Sequence, residues 1–551
     1  MNSTVEQAFA DAAERQNAGQ FEEARAIYEG ILAEQPDHPD ALNLLGITLA
    51  RQGKNEEAVG FMKRATEIRP GVPIYWNNLG LALTSLGRLD EAVAAFGEAI
   101  GISREYAEAH SNLGNALTLQ FRHEAAIDSY REAIRLRPDY SQAYSNISTP
   151  LTHLGRHDEA VAAAKKGIAL RPDYPAGLFN LGFALEHAGR LEEALSSYRR
   201  AVELRPNWAA ALTAAGEVLS ELGRIDEALA SYQSALKNDP NYALAHWNRA
   251  LALLLAGDWD HGFEEYEWRW RLDTFKSTRP AHPELHWNGS DPGGKRILLY
   301  TEQGFGDAIQ FFRYATALSR RGGRVIVQAR AELVRLFEET AGIEIVANDG
   351  PPPAYDVHFP LLSLPRLFKT TVQTIPGEVP YLRANAKLTE QWRGRVPGRN
   401  ILKVGLVWRG SVIPDARRSI PTELLAPLGR VPNVWFTNLQ VGDSSAPAPF
   451  AITDWRGELK DFADTAALMA NLDLIVTIDS AAAHLAGALG KPTWTMLKLM
   501  PDWRWLLGRE DTPFYPTMRL FRQSARDDWA GVIARVAGDL RVLAEKQAQL
   551  A

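Results

Sequence analysis

The stretch Asn471-Leu472-Asp473-Leu474-Ile475-Val476-Thr477-Ile478-Asp479-Ser480-Ala481-Ala482-Ala483-His484 decides how the carboxyl-terminal half of the chain is read. Its apolar run from Leu472 to Ile478 is short and β-branched, the pattern of a strand buried on both faces of a parallel sheet. Small residues after Asp479 then open a helix that is expected to reach Leu489. A strand, turn and helix in that order leave unpaired backbone N–H groups and the positive end of a helix dipole at the turn, a place suited to phosphate. Ser480, Ala481, Ala482 and Ala483 are small enough to let a ligand approach the backbone.

Working outward, the chain from Lys295 alternates strand and helix patterns. Ile297 to Tyr300, Val325 to Gln328 and Glu344 to Val346 read as strands, with helices over Ala308 to Ser319 and Leu333 to Glu339. A second series holds Val404 to Trp408, Val434 to Leu439, Leu474 to Ile478 and Thr493 to Met496. Such a βαβ series predicts two doubly wound α/β domains, over 295–390 and 400–525, with ligands beyond the carboxyl ends of the strands. The segment 526–551 is predicted as a carboxyl-terminal helix, amphipathic from Asp528 to Gln547 and packed across both domains.

Composition sets the bounds. A chain of 551 residues exceeds a single core. The apolar 46% and charged 23% are ordinary for a globular protein. A net charge of −7 argues against general nucleic-acid binding. With no cysteine, disulfides, thiolate metal sites and a cysteine nucleophile are excluded. The opening MNSTVEQAFADAAERQN has no apolar signal segment, and no run of about 18 apolar residues occurs, so a cytoplasmic chain without a transmembrane segment is expected.

The first half is periodic. Glycines stand at Gly19, Gly53, Gly87, Gly155, Gly189, Gly223 and Gly257, a step of 34 interrupted only at Phe121. Pro36, Pro70, Pro138, Pro172, Pro206 and Pro240 keep the same step, with Arg104 at the gap. Ala24, Ala58, Ala92, Ala126, Ala160, Ala194 and Ala228 form a third class. Glycine ends the first helix of each unit, proline stops the second, and alanine lets the pair approach. The pattern resembles the tetratricopeptide repeat, whose period is 34. About eight repeats, an α-solenoid over 1–276, are expected, followed by a linker at 277–294.

Solenoids bind partners on a concave face. At one repeat position stand Asn78, Asn112, Asn146, Asn180 and Asn248, with Ala214 and Leu44 outside the row. A carboxamide both donates and accepts, so it can pair with the backbone of an extended peptide whatever its sequence. The row resembles the asparagine ladder of O-linked N-acetylglucosamine transferases, which implies a protein acceptor held there. The other reading is that each asparagine bonds within its helix or to the neighbouring repeat. Five carboxamides at about 0.5–1.5 kcal/mol each would bind a peptide weakly once its ordering is charged.

Past the repeats, Trp268 and Trp270 in Glu265-Tyr266-Glu267-Trp268-Arg269-Trp270-Arg271 read either as a stacking platform or as cement between the last repeat and the next domain. The strings Thr301-Glu302-Gln303-Gly304-Phe305-Gly306-Asp307 and Asp479-Ser480-Ala481-Ala482-Ala483-His484 resemble the two signature loops of heptosyltransferase-like glycosyltransferases, family nine of the two-domain (GT-B) class. Pro501-Asp502-Trp503-Arg504-Trp505 is similar to the repeat-fused bacterial members, some of which modify flagellin. The resemblance implies an acceptor-side domain at 295–390, a donor-side domain at 400–525, and transfer from a nucleotide sugar to a protein serine or threonine, with flagellin one candidate. Two rivals remain: a scaffold built on a degenerate transferase, and a transferase acting on surface polysaccharide.

Gly304 and Gly306 flank a strand-to-helix turn where positive φ or close approach of a ligand is expected. Asp307 reads as a helix N-cap; the resemblance implies the general base of an inverting transfer, and the two roles can coexist. Asp479 reads as a ligand of a ribose or sugar hydroxyl, or as a cap. His484 reads as a donor to a phosphate oxygen or as a structural residue. A helix dipole supplies only about 0.3–1 kcal/mol to an anion, so cations are needed. Arg409, Arg417 and Arg418 flank the loop that contains Ser411, where the resemblance implies a phosphate-contacting loop of the donor site; the other reading is that these arginines form a solvated face. Asp258-Trp259-Asp260 reads as a capping string in a repeat turn, so no metal and no resident cofactor are expected.

Overall fold

A computed structural model describes residues 2–278, 282–398, 400–410, 415–440 and 448–550. Ser411 and most of its loop lie outside them. The chain divides into two compact units, Met1–Val218 and Leu219–Ala551.

The first unit is built of antiparallel helix pairs, such as Pro73–Ser85 with Leu89–Ile102 and Ala107–Leu119 with His123–Leu136. The turn glycines all lie in the left-handed region, from φ 72° at Gly87 to 91° at Gly257. At the interrupted step Phe121 adopts φ 59° itself, so the turn is kept where its usual residue is absent. The periodic alanines are fully buried. A third requirement shows only in the packing. A Cβ added at Gly80, Gly114 or Gly182 would stand 2.6–2.8 Å from the ring of Phe96, Tyr130 or Tyr198 of the paired helix.

The second unit begins inside the array, whose helix pairs continue through Ile225–Asn238 and Ala243–Ala256 to Trp259–Tyr266. Two parallel sheets follow. In the first, β1 (Arg296–Tyr300), β2 (Arg324–Ala329), β3 (Glu344–Ala347) and β4 (Val357–Pro360) lie in the order β3-β2-β1-β4. In the second, β5 (Leu402–Leu406), β6 (Val434–Asn438), β7 (Thr453–Asp454), β8 (Leu474–Ile478), β9 (Thr493–Leu497) and β10 (Met518–Arg522) lie in the order β10-β9-β8-β5-β6-β7. Each order reverses beside its first strand, between β1 and β4 and between β5 and β8, so the crevices for ligand lie beyond those carboxyl ends. The loops leaving them begin at 301 after β1, 407 after β5 and 479 after β8.

β8 is buried at all five positions, as its β-branched run predicts. Strands β4, β7 and β10 carried no such run and were not among the predicted elements. The final helix, Trp529–Leu550, makes its principal contacts with β5, β10 and the turns Thr422–Leu425 and Ala426–Gly429. These all belong to the second sheet's side, where the amphipathic pattern suggested packing across both. No helix among the described residues is long and apolar enough to cross a membrane.

Candidate functional site

The loop after β1 leads into the helix Phe305–Arg320, whose N-cap is Gly304. Asp307 is therefore the third helical residue rather than the cap itself. Its Oδ2 accepts the Gly304 N–H at 2.8 Å, the reciprocal half of a capping box. Neither glycine has positive φ; that conformation falls on Gln303, at 63°. Gly306 is needed for a close approach of a different kind, because a Cβ there would stand 2.8 Å from His484 Cδ2 and 3.5 Å from Ala481 Cα. The two signature loops, one from each sheet, thus meet directly.

The loop between β9 and β10 supplies what joins them. Asp502 accepts the Arg504 N–H at 3.0 Å and so caps the short turn Trp503–Trp505. The Arg504 guanidinium is nearly buried and every edge is used. Nε donates to Gln310 Oε1 at 2.6 Å, Nη1 to Asp502 Oδ1 at 2.8 Å, and Nη2 to Asp307 Oδ1. Its plane also lies 4.5 Å from the Trp503 ring centroid. Burial alone would weaken this cation, but Asp502 and Asp307 keep it charged.

The carboxylates respond in opposite directions. Burial raises Asp307 above the ordinary aspartate range, and Arg504 with the Gly304 N–H offsets only part of that. Asp479 is pushed up to about 6 by burial and then by the neighbouring Asp502, against the pull of Arg418 and Arg504. Burial would raise Asp502 as well, yet Arg504 holds it below its usual value. His484 is driven down to about 3 by burial and then by Arg504, so it is a neutral imidazole at neutral pH. Its Nδ1 pairs with the Tyr515 hydroxyl at 3.0 Å and its ring stacks on Trp505 at 5.3 Å.

Asp479 does not cap the following helix. Ser480 is the flanking residue, without a side-chain cap, and its Oγ pairs with Thr477 Oγ1 at 3.1 Å. The first N–H groups of a helix have no intrahelical acceptor, and here those belong to Ala481 and Ala482. Beyond β5, Gln440 Oε1 accepts the N–H groups of Trp408 and Arg409 at 3.0 and 2.8 Å, fixing that turn. The Arg418 side chain lies across Gly410, where a Cβ would be 2.6 Å from Nε. Arg417 is committed elsewhere, to Glu221 at 2.8 Å and Asp415 at 3.2 Å.

Asp307 is thus bound to Arg504, Gly306 lies against His484 and Ala481, and Arg418 lies across Gly410, while Arg409 is placed by its backbone. Four residues of the asparagine row belong to the first unit. Asn78, Asn112, Asn146 and Asn180 are half-buried, and each Nδ2 donates to the preceding repeat: to Asn43, Asn77, Asn115, and for Asn180 to Ser145 O and Asn146. Asn248 occupies the same repeat position in the second unit.

Comparison with known proteins follows this division. The tetratricopeptide repeat family matches residues 9–73, 153–208 and 107–140, and a further repeat description matches 80–120 and 216–257. Glycosyltransferase family 9 (heptosyltransferase) matches residues 457–497, a segment that contains β8 and Asp479 to His484. Tetratricopeptide repeats are followed here by a segment that matches glycosyltransferase family 9. Protein FlbA of Caulobacter vibrioides is 31% identical over 330 residues, 53% of this chain and 54% of FlbA. The chain therefore spans about half the length of that curated relative. Among solved structures, a tetratricopeptide repeat protein from Parabacteroides merdae is similar with TM-score 0.40 and 15% identity, covering 46% of this chain and 99% of that one. A thermophilic tetratricopeptide repeat protein of Thermus thermophilus is similar with TM-score 0.31 and 23% identity, covering 33% and 98%.

Several residues of this candidate site had no predicted role. Arg504 and Asp502 lay in a string noted only for its resemblance, and Gln310 and Tyr515 carried no signal. The available clue was that Arg504 lies between Trp503 and Trp505, and an arginine buried with them needs a charged partner.

Proposed function

We propose that the chain is an inverting glycosyltransferase that moves a sugar from a nucleotide-sugar donor to a serine or threonine hydroxyl of a protein recruited by the repeats. The observation that carries this reading is Asp307: a carboxylate in the first turn of the helix after β1, made more basic by burial and next to Gly306, which meets the turn after β8. The acceptor hydroxyl attacks the anomeric carbon, Asp307 takes its proton, and the bond to the nucleoside diphosphate breaks with that group leaving as an anion. Both carboxyl oxygens of Asp307 already accept hydrogen bonds, but each retains a second lone pair for that proton.

The leaving phosphates have matching groups in the N–H donors of Ala481 and Ala482 and in the cation Arg418, with Arg409 beside them. His484, being neutral, contributes a hydrogen-bonding ring and no charge. Asp479 would repel a diphosphate, so its place is against a sugar or ribose hydroxyl. Nothing in this scheme calls on a metal ion. The acceptor is proposed to lie along the repeats, where the carboxamide oxygens of Asn78 and Asn112 can accept from a peptide backbone. Flagellin is one acceptor to test.

Intact-mass analysis of surface and flagellar proteins from cells with the chain present, deleted or carrying Asp307→Asn tests the reading. A sugar-sized increment that disappears in both altered strains supports it. An unchanged mass in the deletion strain overturns the protein acceptor and favours polysaccharide or a scaffold.

A further inference from the structure

The end of the repeat array touches both loops of the site. Tyr266, the last residue of the helix Trp259–Tyr266, is buried, and its hydroxyl pairs with the Gln303 carboxamide at 2.9 Å to Nε2 and 3.2 Å to Oε1. Gln303 is the residue that carries the strained positive φ immediately before Gly304. One turn on, Arg269 is fully buried. Its Nη2 donates to Glu302 Oε1 at 2.7 Å and to Ser363 Oγ at 2.6 Å, and its Nη1 to Glu267 Oε1 at 2.8 Å. Glu302 leaves β1 and Ser363 follows β4, so this one guanidinium spans the reversal point of the first sheet.

The second loop is held by rings from the same short helix. Trp259 lies edge-on to Trp503 at 6.0 Å and stacks on Phe514 at 5.2 Å, and Phe263 meets Trp503 edge-on at 5.7 Å. Trp503 precedes Arg504 and lies against its guanidinium. Eight helical residues and the turn after them therefore fix the loop that carries Asp307 and the loop that carries Arg504.

We propose that the terminal repeat is a working part of the transfer site, with Tyr266, Arg269 and Trp259 as positioning residues that keep Asp307 and Arg504 in register. The inference rests on the proposed transferase reading for its consequence and on packing alone for its geometry. A buried ion pair such as Arg269–Glu302 contributes little net stability compared with an apolar pair, but it fixes one arrangement of the groups it joins. The arrangement fixed here is that of the Gln303–Asp307 turn. The terminal repeat is then more than a tether, because its residues hold the two loops of the site.

The test compares the full chain with Tyr266→Phe, Arg269→Gln and Arg269→Lys, read by donor kinetics and by amide hydrogen exchange over 301–307 and 501–506. Misplacing a reacting group by about 1 Å can cost on the order of 100-fold in rate. Tyr266→Phe, which keeps the ring, is expected to lower kcat about tenfold with donor KM changed less than about twofold. Arg269→Gln should lower kcat further, with partial recovery in Arg269→Lys, and both weakened variants should exchange faster at Gly304 to Asp307. Unchanged exchange and unchanged kcat in Tyr266→Phe and Arg269→Gln would overturn the proposal. A wild-type chain that transfers no sugar overturns the transferase reading instead, and the exchange measurement, which needs no substrate, still decides whether the repeat holds the loops.

Discussion

Arg504, on the loop between β9 and β10, donates from Nη2 to Asp307 Oδ1 at the end of β1. The proposed base of one sheet is thereby paired with a cation from the other, and the pair is nearly out of water, with side-chain exposures of 8% and 18%. Burial raises the Asp307 carboxyl and Arg504 lowers it, with burial the larger of the two. The base must be ionised to act, so the acid limb of the kcat/KM profile should lie above the ordinary aspartate value of about 3.9. Arg504→Gln removes the lowering influence and should move that limb to higher pH. Asp307→Asn should cut turnover by about 100- to 10,000-fold, the usual range for a general base. Initial rates from pH 4 to 9 check both, and a limb that does not move in Arg504→Gln removes the coupling.

Gly306 is where the two signature loops come closest. In Gly306→Ala the new Cβ must displace either the His484 ring or the Ala481 backbone. His484 is packed by Tyr515 and Trp505, so the ring cannot give freely. Overpacking of this kind costs about 1–3 kcal/mol. Denaturant unfolding of Gly306→Ala should show that loss. The double variant Gly306→Ala with His484→Ala should lose less than the sum of the two single changes. Strict additivity would mean that the residues do not meet.

The fold was legible because its signals are local and repeated. Glycine, proline and alanine at one spacing describe a helix pair, and the chain has only to repeat it; the turn at Phe121 survives one missing glycine because its neighbours dictate it. The run Leu474–Ile478 and its small-residue turn were equally local. What was hidden depends on partners far apart in sequence. That Asp307 caps from the third helical position while pairing with Arg504, 197 residues away, has no local signature. The same is true of Gln303, which carries the positive φ expected at its glycine neighbour because Tyr266 and Arg330 grip it from other elements. Arg417, one of three arginines equivalent in sequence, is drawn off by Glu221, a residue of the repeats.

His484 gives the molecule a definite acid response. Its folded value of about 3 is below the ordinary imidazole value of 6.5, so the folded state resists protonating it. The stability this contributes is present above the unfolded value and is lost as pH falls from 6.5 toward 3. Where only the unfolded chain is protonated, the slope approaches about 1.4 kcal/mol per pH unit for one group. Glu302 acts in the opposite sense: burial pushes it up to about 7, so its contribution is full below its unfolded value of 4.5 and fades as pH rises toward 7. His484→Gln should flatten the loss of stability between pH 6.5 and 4, as measured by urea midpoints. An unaltered slope would show that the imidazole is not held neutral by its surroundings.

The asparagine row poses the sharpest choice in the repeats, because one side chain is asked to serve two ends. In Asn112 the Nδ2 group donates to Asn77 Oδ1 at 2.9 Å, across the junction between repeats. That bond should make Asn112→Ala cost about 0.5–1.5 kcal/mol in stability whether or not an acceptor binds there. The oxygen end is what a peptide backbone would use, and Asn112→Asp separates the two functions: it keeps an acceptor atom but loses the donor. If the row serves only the solenoid, Asn112→Asp and Asn112→Ala should both lower the unfolding midpoint and leave acceptor KM unchanged. If it also holds the acceptor, Asn112→Ala should raise acceptor KM while donor KM stays fixed, and Asn112→Asp should raise it less. Steady-state kinetics with the acceptor varied at saturating donor, beside unfolding curves for the same two variants, distinguish these outcomes, and an equal rise in both KM values would place the effect in the proposed transfer site rather than on the repeats.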